Sequence, residues 1–282
     1  GVTSAIMNLT HNPITEVPVA TGTPVIASED VPLDIGPGDF SFTDVAGDSL
    51  ASVTITGLNL NGGTLTHTGG TVTVTNGMTV TLAELADLTF TSALNDSTDA
   101  SFTYTVNDAG TGVTSAIMNI TVNPVNDVPV ITSDGGGVTA NVAATENQTG
   151  VTTVTSTDID GGAPVYSIIG GADATLFTIN ATTGVITFNT APDFEVPTDA
   201  DANNIYDITV QVADGNGGTD TQDISVMLAD INDAPAITSD GGGPIANINV
   251  IENQTGVTTV TATDADLPAD TLTFSIVGGA DA

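Results

Sequence analysis

Apolar and polar residues alternate along most of this chain. The stretches "SVTITGLNL" (52–60), "TVTVTNGMTVTL" (71–82), "ASFTYTVND" (100–108), "AIMNITVNPV" (116–125), "YDITVQVAD" (206–214) and "TQDISVMLAD" (221–230) all have this period of two, and all are rich in Val, Ile and Thr. That period belongs to half-buried β-strands, because successive side chains on a strand point to opposite faces. Gly, Asn and Asp clusters punctuate the runs as turns. About seven such strands in roughly 100 residues is the pattern of a β-sandwich. One helical turn is expected at "TLAELADL" (81–88). Thr81 and Glu84 have capping-box spacing there, and Leu82, Leu85 and Leu88 are expected to face the core.

The chain repeats itself. "GVTSAIMNLTHNPITEVPV" at 1–19 returns as "GVTSAIMNITVNPVNDVPV" at 112–130, an offset of 111 residues. "TSDGGG" at 132–137 returns at 238–243, and "ENQTGVTTVT" at 146–155 returns at 252–261, an offset of 106 residues. Units of similar length therefore stand in tandem. The layout reads as a terminal strand of a preceding repeat (1–21), a whole unit (22–131), a second whole unit (132–236) and the first part of a third (237–282). The sequence opens inside a strand-like segment, as expected of a piece of a longer array. The fold class expected is all-β: tandem Greek-key sandwiches in an elongated array.

Charge changes the picture. Among 282 residues there are 34 Asp and Glu, no Lys, no Arg, no Cys and two His. No side-chain ion pair can form except through His11 or His67, which read as exposed strand or turn residues. Wherever folding gathers carboxylates, they must stay in water, take up protons or bind an external cation. Nucleic acid is excluded as a partner, since phosphate contacts need Lys or Arg. No apolar run is long enough to span a membrane. Disulfides and thiol-ligated metals are excluded with Cys. Regular alternation argues against a disordered acidic chain.

The acidic residues fall in recurring motifs. A Glu opens each unit: Glu29 in "SEDVPL", Glu146 and Glu252 in "ENQTG". A D-x-D follows: Asp158 and Asp160 in "STDIDG", Asp264 and Asp266 in "ATDADL". "PDFE" supplies Asp193 and Glu195, and "VQVADGNGG" supplies Asp214. "ADINDAP" closes the second unit with Asp230, Asn232 and Asp233.

This ordered set resembles the cadherin repeat, in the form found in large bacterial surface proteins and RTX-type adhesins. The second unit resembles it over its full length ("ENQ", "DID", "PDFE", "ADG", "ADINDAP"). The unit at 22–131 is similar but divergent ("FTDVAGD", "FTYTVND", "NPVNDVP"). Its boundary has Pro124 where the linker motif begins with Asp, and "NPITEVP" at 12–18 lacks the Asn-Asp pair. The resemblance implies calcium between repeats. It implies one site around 230–237 drawing on Glu146, Asp193, Glu195, Asp230, Asn232, Asp233, Asp264 and Asp266. It implies a second, with fewer carboxylates, drawing on Asn126, Asp127, Asp158, Asp160 and Asp214, with Glu29 as a further candidate. The ligand chemistry agrees, since calcium takes six to eight oxygens and needs neither Cys nor His. Alternation along a strand is expected to point Asp264 and Asp266 the same way.

Each motif also has a plainer reading. D-x-D and "NDAP" are good turn formers. "PTDADANN" (197–204) resembles the start of an EF-hand loop but lacks the downstream Gly and Glu, and reads as a solvated acidic loop. "GGG" at 135–137 and 241–243 reads as a turn, not a phosphate loop. The leading functional reading is a calcium-rigidified structural segment of a long extracellular adhesin or surface filament. Its partners would be calcium ions, neighbouring repeats and identical chains. Two alternatives stay open: a self-assembling filament or surface layer, and a carbohydrate- or protein-binding module. Without Trp, and with three Tyr, the sequence offers little of the exposed aromatic platform that sugars favour. No nucleophile–His constellation exists, so no catalytic residue is expected.

Overall fold

The computed structural model describes residues 2–4, 6–8, 17–45, 49–108, 113–266 and 271–279. It divides into two compact units, Gly1–Asp127 and Val128–Ala282. His11, most of the 12–18 boundary and the 267–270 insertion lie outside the described residues.

The first unit contains β1 (Val19–Gly22), β2 (Val25–Ser28), β3 (Leu33–Ile35), β4 (Phe40–Thr43), β5 (Leu50–Asn59), β6 (Thr64–His67), β7 (Val72–Thr73), β8 (Thr79–Thr81), α1 (Leu82–Leu85), β9 (Leu88–Thr91), β10 (Ala100–Asp108) and β11 (Val113–Asn123). One sheet runs β2-β11-β10-β5-β8 and the other β3-β9-β6-β7, while β1 pairs with β4. Three local expectations change. "TVTVTNGMTVTL" is not one strand but β7 and β8, separated by a turn in which Gly77 has φ 86°. The capping box of Thr81 and Glu84 forms and Leu85 and Leu88 are buried, yet Leu82 stays 44% exposed. A single helical turn can aim only part of its circumference inward. His67 is buried, because it ends an inward-facing alternation on β6; its Nδ1 lies 2.9 Å from Thr68 Oγ1.

The second unit contains β12 (Val130–Ile131), β13 (Thr139–Thr145), β14 (Gly150–Thr153), β15 (Ser156–Thr157), β16 (Val165–Gly170), β17 (Phe177–Ile179), β18 (Val185–Phe188), β19 (Ile205–Ala213), β20 (Thr219–Ala229), β21 (Ala236–Ile237) and β22 (Ala262–Thr263). Its sheets run β13-β20-β19-β16 and β14-β18-β17, with β12-β15 and β21-β22 as two-stranded pairs. The "GGG" segments are turns, as read: Ser133–Gly135 and Ser239–Gly241 form 3-10 turns, each followed by a left-handed Gly.

The same construction recurs in both units. β2 runs parallel to β11, pairing Ser28 with Asn123, and β13 runs parallel to β20, pairing Thr145 with Ala229. The residue that follows each short strand is the Glu of the motif, so that Glu lies beside the end of the last strand. Few as they are, the aromatic rings sit at the centre of the cores. Tyr104 meets Phe40 edge-on at 5.0 Å, and Tyr206 meets Phe188 edge-on at 5.2 Å. Both tyrosines are fully buried. Val, Ile and Leu from the inward positions of the strands fill the rest, including Ile55 and Met118 in the first unit and Ile208 and Val226 in the second.

Candidate metal centre

Glu146 anchors the centre. It is fully buried, and its two oxygens are held apart by different backbone donors. Oε1 accepts the N–H of Ile231 at 2.7 Å and Oε2 that of Phe194 at 2.9 Å. One carboxylate therefore ties β13, the 193–195 loop and the segment after β20 together. Glu29 is built the same way in the first unit: it is buried, and its Oε1 accepts the N–H of Val125 at 2.7 Å. The boundary turns also match. Asn126 donates its side-chain amide to the carbonyl of Asp127 at 3.0 Å, and Asn232 to that of Asp233 at 2.7 Å.

Around Glu146 the carboxylates converge. Oxygens of Glu146, Glu195 and Asp230 lie within 4.8 Å of one another. Asp193 Oδ1 accepts the N–H groups of Glu195 and Val196. Asp266 Oδ2 accepts the N–H of Asp233 at 2.7 Å, which brings the D-x-D of the 237–282 segment to the "NDAP" turn. Asn232 and Asp264 line one groove. Asp264 and Asp266 converge by a route the alternation argument missed. They follow β22 in a turn, where Asp266 donates its N–H to Asp264 Oδ1 at 3.2 Å. Asp158 and Asp160 form the same turn after β15, at 3.0 Å.

The electrostatics are those of crowded anions. Loss of hydration pushes the Glu195 carboxyl above its ordinary range, and the charges of Glu146, Asp230 and Asp266 add to the shift. Loss of hydration also raises Asp233, helped by Glu146, Asp266, Asp193 and Asp264. Two oxygens here, Glu195 Oε2 and Asp266 Oδ1, are out of water and have no hydrogen-bond partner. Buried, anionic and unsatisfied oxygen is costly unless a cation or proton meets it. A hard divalent cation with oxygen ligands, of the calcium type, fits this donor set.

The other predicted ligands of the second unit lie at its far end. Asp214 opens the turn into β20 and Asp230 closes the strand, so about 35 Å of extended chain separates them. Asp158 and Asp214 line a small cavity of about 90 Å³. The Asp214 carboxylate accepts the N–H groups of Asn216, Gly217 and Gly218, and so shapes its own loop. Asn126 and Asp127 belong to the first unit.

The 197–204 loop is less solvated than its composition implies. Asp199 is buried and accepts the N–H groups of Asn203 and Asn204; burial opposes its charge, but these donors hold its carboxyl below the ordinary value. Asp173 was not singled out by sequence reasoning. It is buried and accepts the N–H groups of Ala200 and Asp207; it sits in the turn after Gly170-Gly171, and no sequence motif marks it for such a role.

These observations define an all-β chain built from cadherin-like repeats. Residues 139–229 match the family model described as a cadherin domain. None of the curated proteins matches the sequence. Among solved structures, human CDH23 EC21-23 is similar at 18% identity, covering 89% of this chain and 80% of that one, with a TM-score of 0.56. Mouse Cadherin-23 EC22-24 is 19% identical over 88% of this chain and 78% of that one, with a TM-score of 0.49. Human Protocadherin-24 EC1-2 is 21% identical over 76% of this chain and 100% of that one, also at 0.49. Among the described residues no helix is long and apolar enough to cross a membrane.

Proposed function

We propose that this chain is a calcium-rigidified structural segment of a long extracellular adhesin or surface filament, of the kind carried on bacterial surfaces. The repeats would follow the layout 1–21, 22–131, 132–236 and 237–282. The observation that carries this reading is the convergence of Glu146, Glu195 and Asp230 to within 4.8 Å in a chain with no Lys or Arg.

When bound, calcium supplies the positive charge this site lacks. Glu146, Asp193, Glu195, Asp230, Asn232, Asp233, Asp264 and Asp266 are the residues that would hold it, and Asn126, Asp127, Asp158, Asp160 and Asp214 would serve the earlier boundary. The chain's own part is positioning. Glu146 fixes the segment after β20, and Asp266 fixes the "NDAP" turn, so the 237–282 segment and the 132–236 repeat present their carboxylates to one another. Neutralising that cluster turns repulsion at the boundary into cohesion. A ligand that binds only the ordered state stabilises it by about 2.7 kcal/mol at a hundred times its dissociation constant.

Calorimetric calcium titration of the whole chain, with small-angle scattering in calcium and in chelator, tests the proposal. Binding accompanied by a longer, stiffer particle is expected. No heat of binding, or the same scattering profile in both conditions, defeats it.

A further inference from the structure

Gln222, early in β20, is fully buried. Its amide nitrogen donates to two main-chain carbonyls of the glycine-rich turn before β13, Gly137 at 2.8 Å and Ser133 at 3.4 Å. Only the NH₂ end of a side-chain amide can donate twice, so the orientation of the group is fixed and Oε1 faces away from these carbonyls. Oε1 is out of water and has no hydrogen-bond partner among the described residues. The same holds for Ser133 Oγ, which belongs to the same contact between strand and turn. Two unmet oxygens at one contact cost free energy unless a small hydrogen-bonding molecule lies between them.

Chemistry selects the molecule. The pair carries no charge, and the acids around it are engaged: Asp220 accepts the N–H groups of Ile131 and Thr221, each at 2.8 Å, and Asp134 accepts the Thr152 hydroxyl at 3.2 Å. A calcium-type ion would find two neutral ligands of the six to eight it takes. Water needs only about two to four polar partners. It can donate to Oε1 and exchange a second hydrogen bond with Oγ. The flanks of the turn are already tied down, since Thr132 and Ser133 donate to the Thr155 carbonyl at 2.8 and 3.3 Å and Asp223 donates to that of Val138 at 2.9 Å. The shape of the turn is local in origin. The same sequence at 238–243 adopts the same backbone, with φ 51° at Asp134 and 52° at Asp240, and 64° at Gly136 and 65° at Gly242. What Gln222 adds is attachment.

We infer that Gln222 and Ser133 bind one internal water molecule, and that this water and the two amide bonds form a clasp fastening the entry segment 131–138 to β20. The clasp has no charge for a proton or a metal to change, so its hold is the same with and without calcium. The exit of the unit is built differently: Ile231 and Asp233 donate to the carboxylates of Glu146 and Asp266. The inference makes no use of the metal centre.

A crystal structure of the 282-residue chain, with amide hydrogen exchange followed by NMR in chelator, tests it. Density for a single water within about 3.2 Å of both Gln222 Oε1 and Ser133 Oγ is expected. Gln222→Leu, similar in size but without donor or acceptor, speeds exchange at 131–137 by about tenfold or more and leaves β19 unchanged. Ser133→Ala removes only the water's second partner and keeps the bonds of Gln222. It speeds the same amides by a smaller factor, about threefold. Where Gln222→Leu loosens the whole unit, Ser133→Ala decides. Empty density at Oε1, a protein donor in direct contact with it, or exchange at 131–137 that Ser133→Ala leaves unchanged overturns the inference. None of these readouts depends on calcium, so this reading and that of the metal centre fail separately.

Discussion

Glu146 Oε1 accepts the backbone N–H of Ile231 at 2.7 Å, and Glu146 is fully buried. In a chain with no Lys or Arg, backbone N–H groups meet both oxygens of this buried side chain. Replacing it separates two roles. Glu146→Ala strands the N–H groups of Ile231 and Phe194, and is expected to destabilise the second unit by about 2–4 kcal/mol even in chelator. Glu146→Gln keeps one acceptor oxygen and loses the charge. Its melting temperature in chelator should fall less, while the rise on adding calcium should shrink most. Thermal unfolding of both variants with and without calcium checks this.

Acid should compete with calcium. Glu195 and Asp233 have carboxyl pKa values above the ordinary range, first from loss of hydration and then from neighbouring charge. They take up protons before ordinary carboxylates do, so affinity is expected to begin falling, as pH is lowered, before the ordinary carboxylate range is reached. Without calcium the sign reverses. A raised folded-state pKa gives stability that is complete below the unfolded value and is lost as pH rises through the folded one. For these two groups, mild acid therefore relieves the metal-free centre. Calcium titrations in buffers of different ionisation enthalpy should show proton release on binding; release that vanishes in Glu195→Gln ties it to that group.

Much of this was legible from the residues alone. Strand alternation located β5, β10, β11, β19 and β20 to within a few residues, because strands with one buried face must keep their period. The acidic motifs named the carboxylates that converge on Glu146. The misses share a cause, since they turn on local geometry that pattern cannot carry. Asp264 and Asp266 meet through a turn closed by their own backbone, not through strand alternation. Leu82 fits a core spacing but sits where one helical turn leaves it outward. His67 read as an exposed strand or turn residue because it stands in no ligand spacing, and its inward position on β6 was not seen in the pattern. Asp199 read as part of a solvated loop and Asp173 drew no reading, because nothing in a sequence shows that distant backbone N–H groups will enclose a carboxylate.

Protease mapping gives a separate view of the boundary. A protease that cuts after acidic residues is expected to cleave within 230–236 faster in chelator than in calcium. The N–H of Asp233 in the "NDAP" turn donates to Asp266 Oδ2 of the 237–282 segment. Asp266→Ala should give the fast pattern in both conditions. Equal rates throughout would mean that the boundary is ordered without metal.

The core makes its own forecast. Tyr206 is fully buried among Phe177 and Phe188, and its hydroxyl lies 3.5 Å from Thr198 Oγ1, a long contact. Tyr206→Phe should therefore cost less than about 1 kcal/mol, and Tyr206→Ala about 3–5 kcal/mol. Gly184, at φ 71°, would place a Cβ 2.1 Å from the carbonyl oxygen of Val154, so Gly184→Ala should displace the β17–β18 turn. Chemical denaturation of the second unit's transition ranks the three.

The carboxylates of this protein are met by amides and hydroxyls. Thr152 donates to Asp134 at 3.2 Å and Thr258 to Asp240 at 3.0 Å, and the nearest approach to an ion pair among the described residues is His67 Nδ1 to Glu84 Oε1 at 4.0 Å. Contacts of this kind are short in range and insensitive to dissolved electrolyte, whereas the mutual repulsion of the acids is not. Brine thus has almost no attraction here to weaken and a great deal of repulsion to quiet. A molecule so composed should grow hardier from fresh water to sea water and beyond, conditions under which proteins laced with surface ion pairs lose part of what holds them.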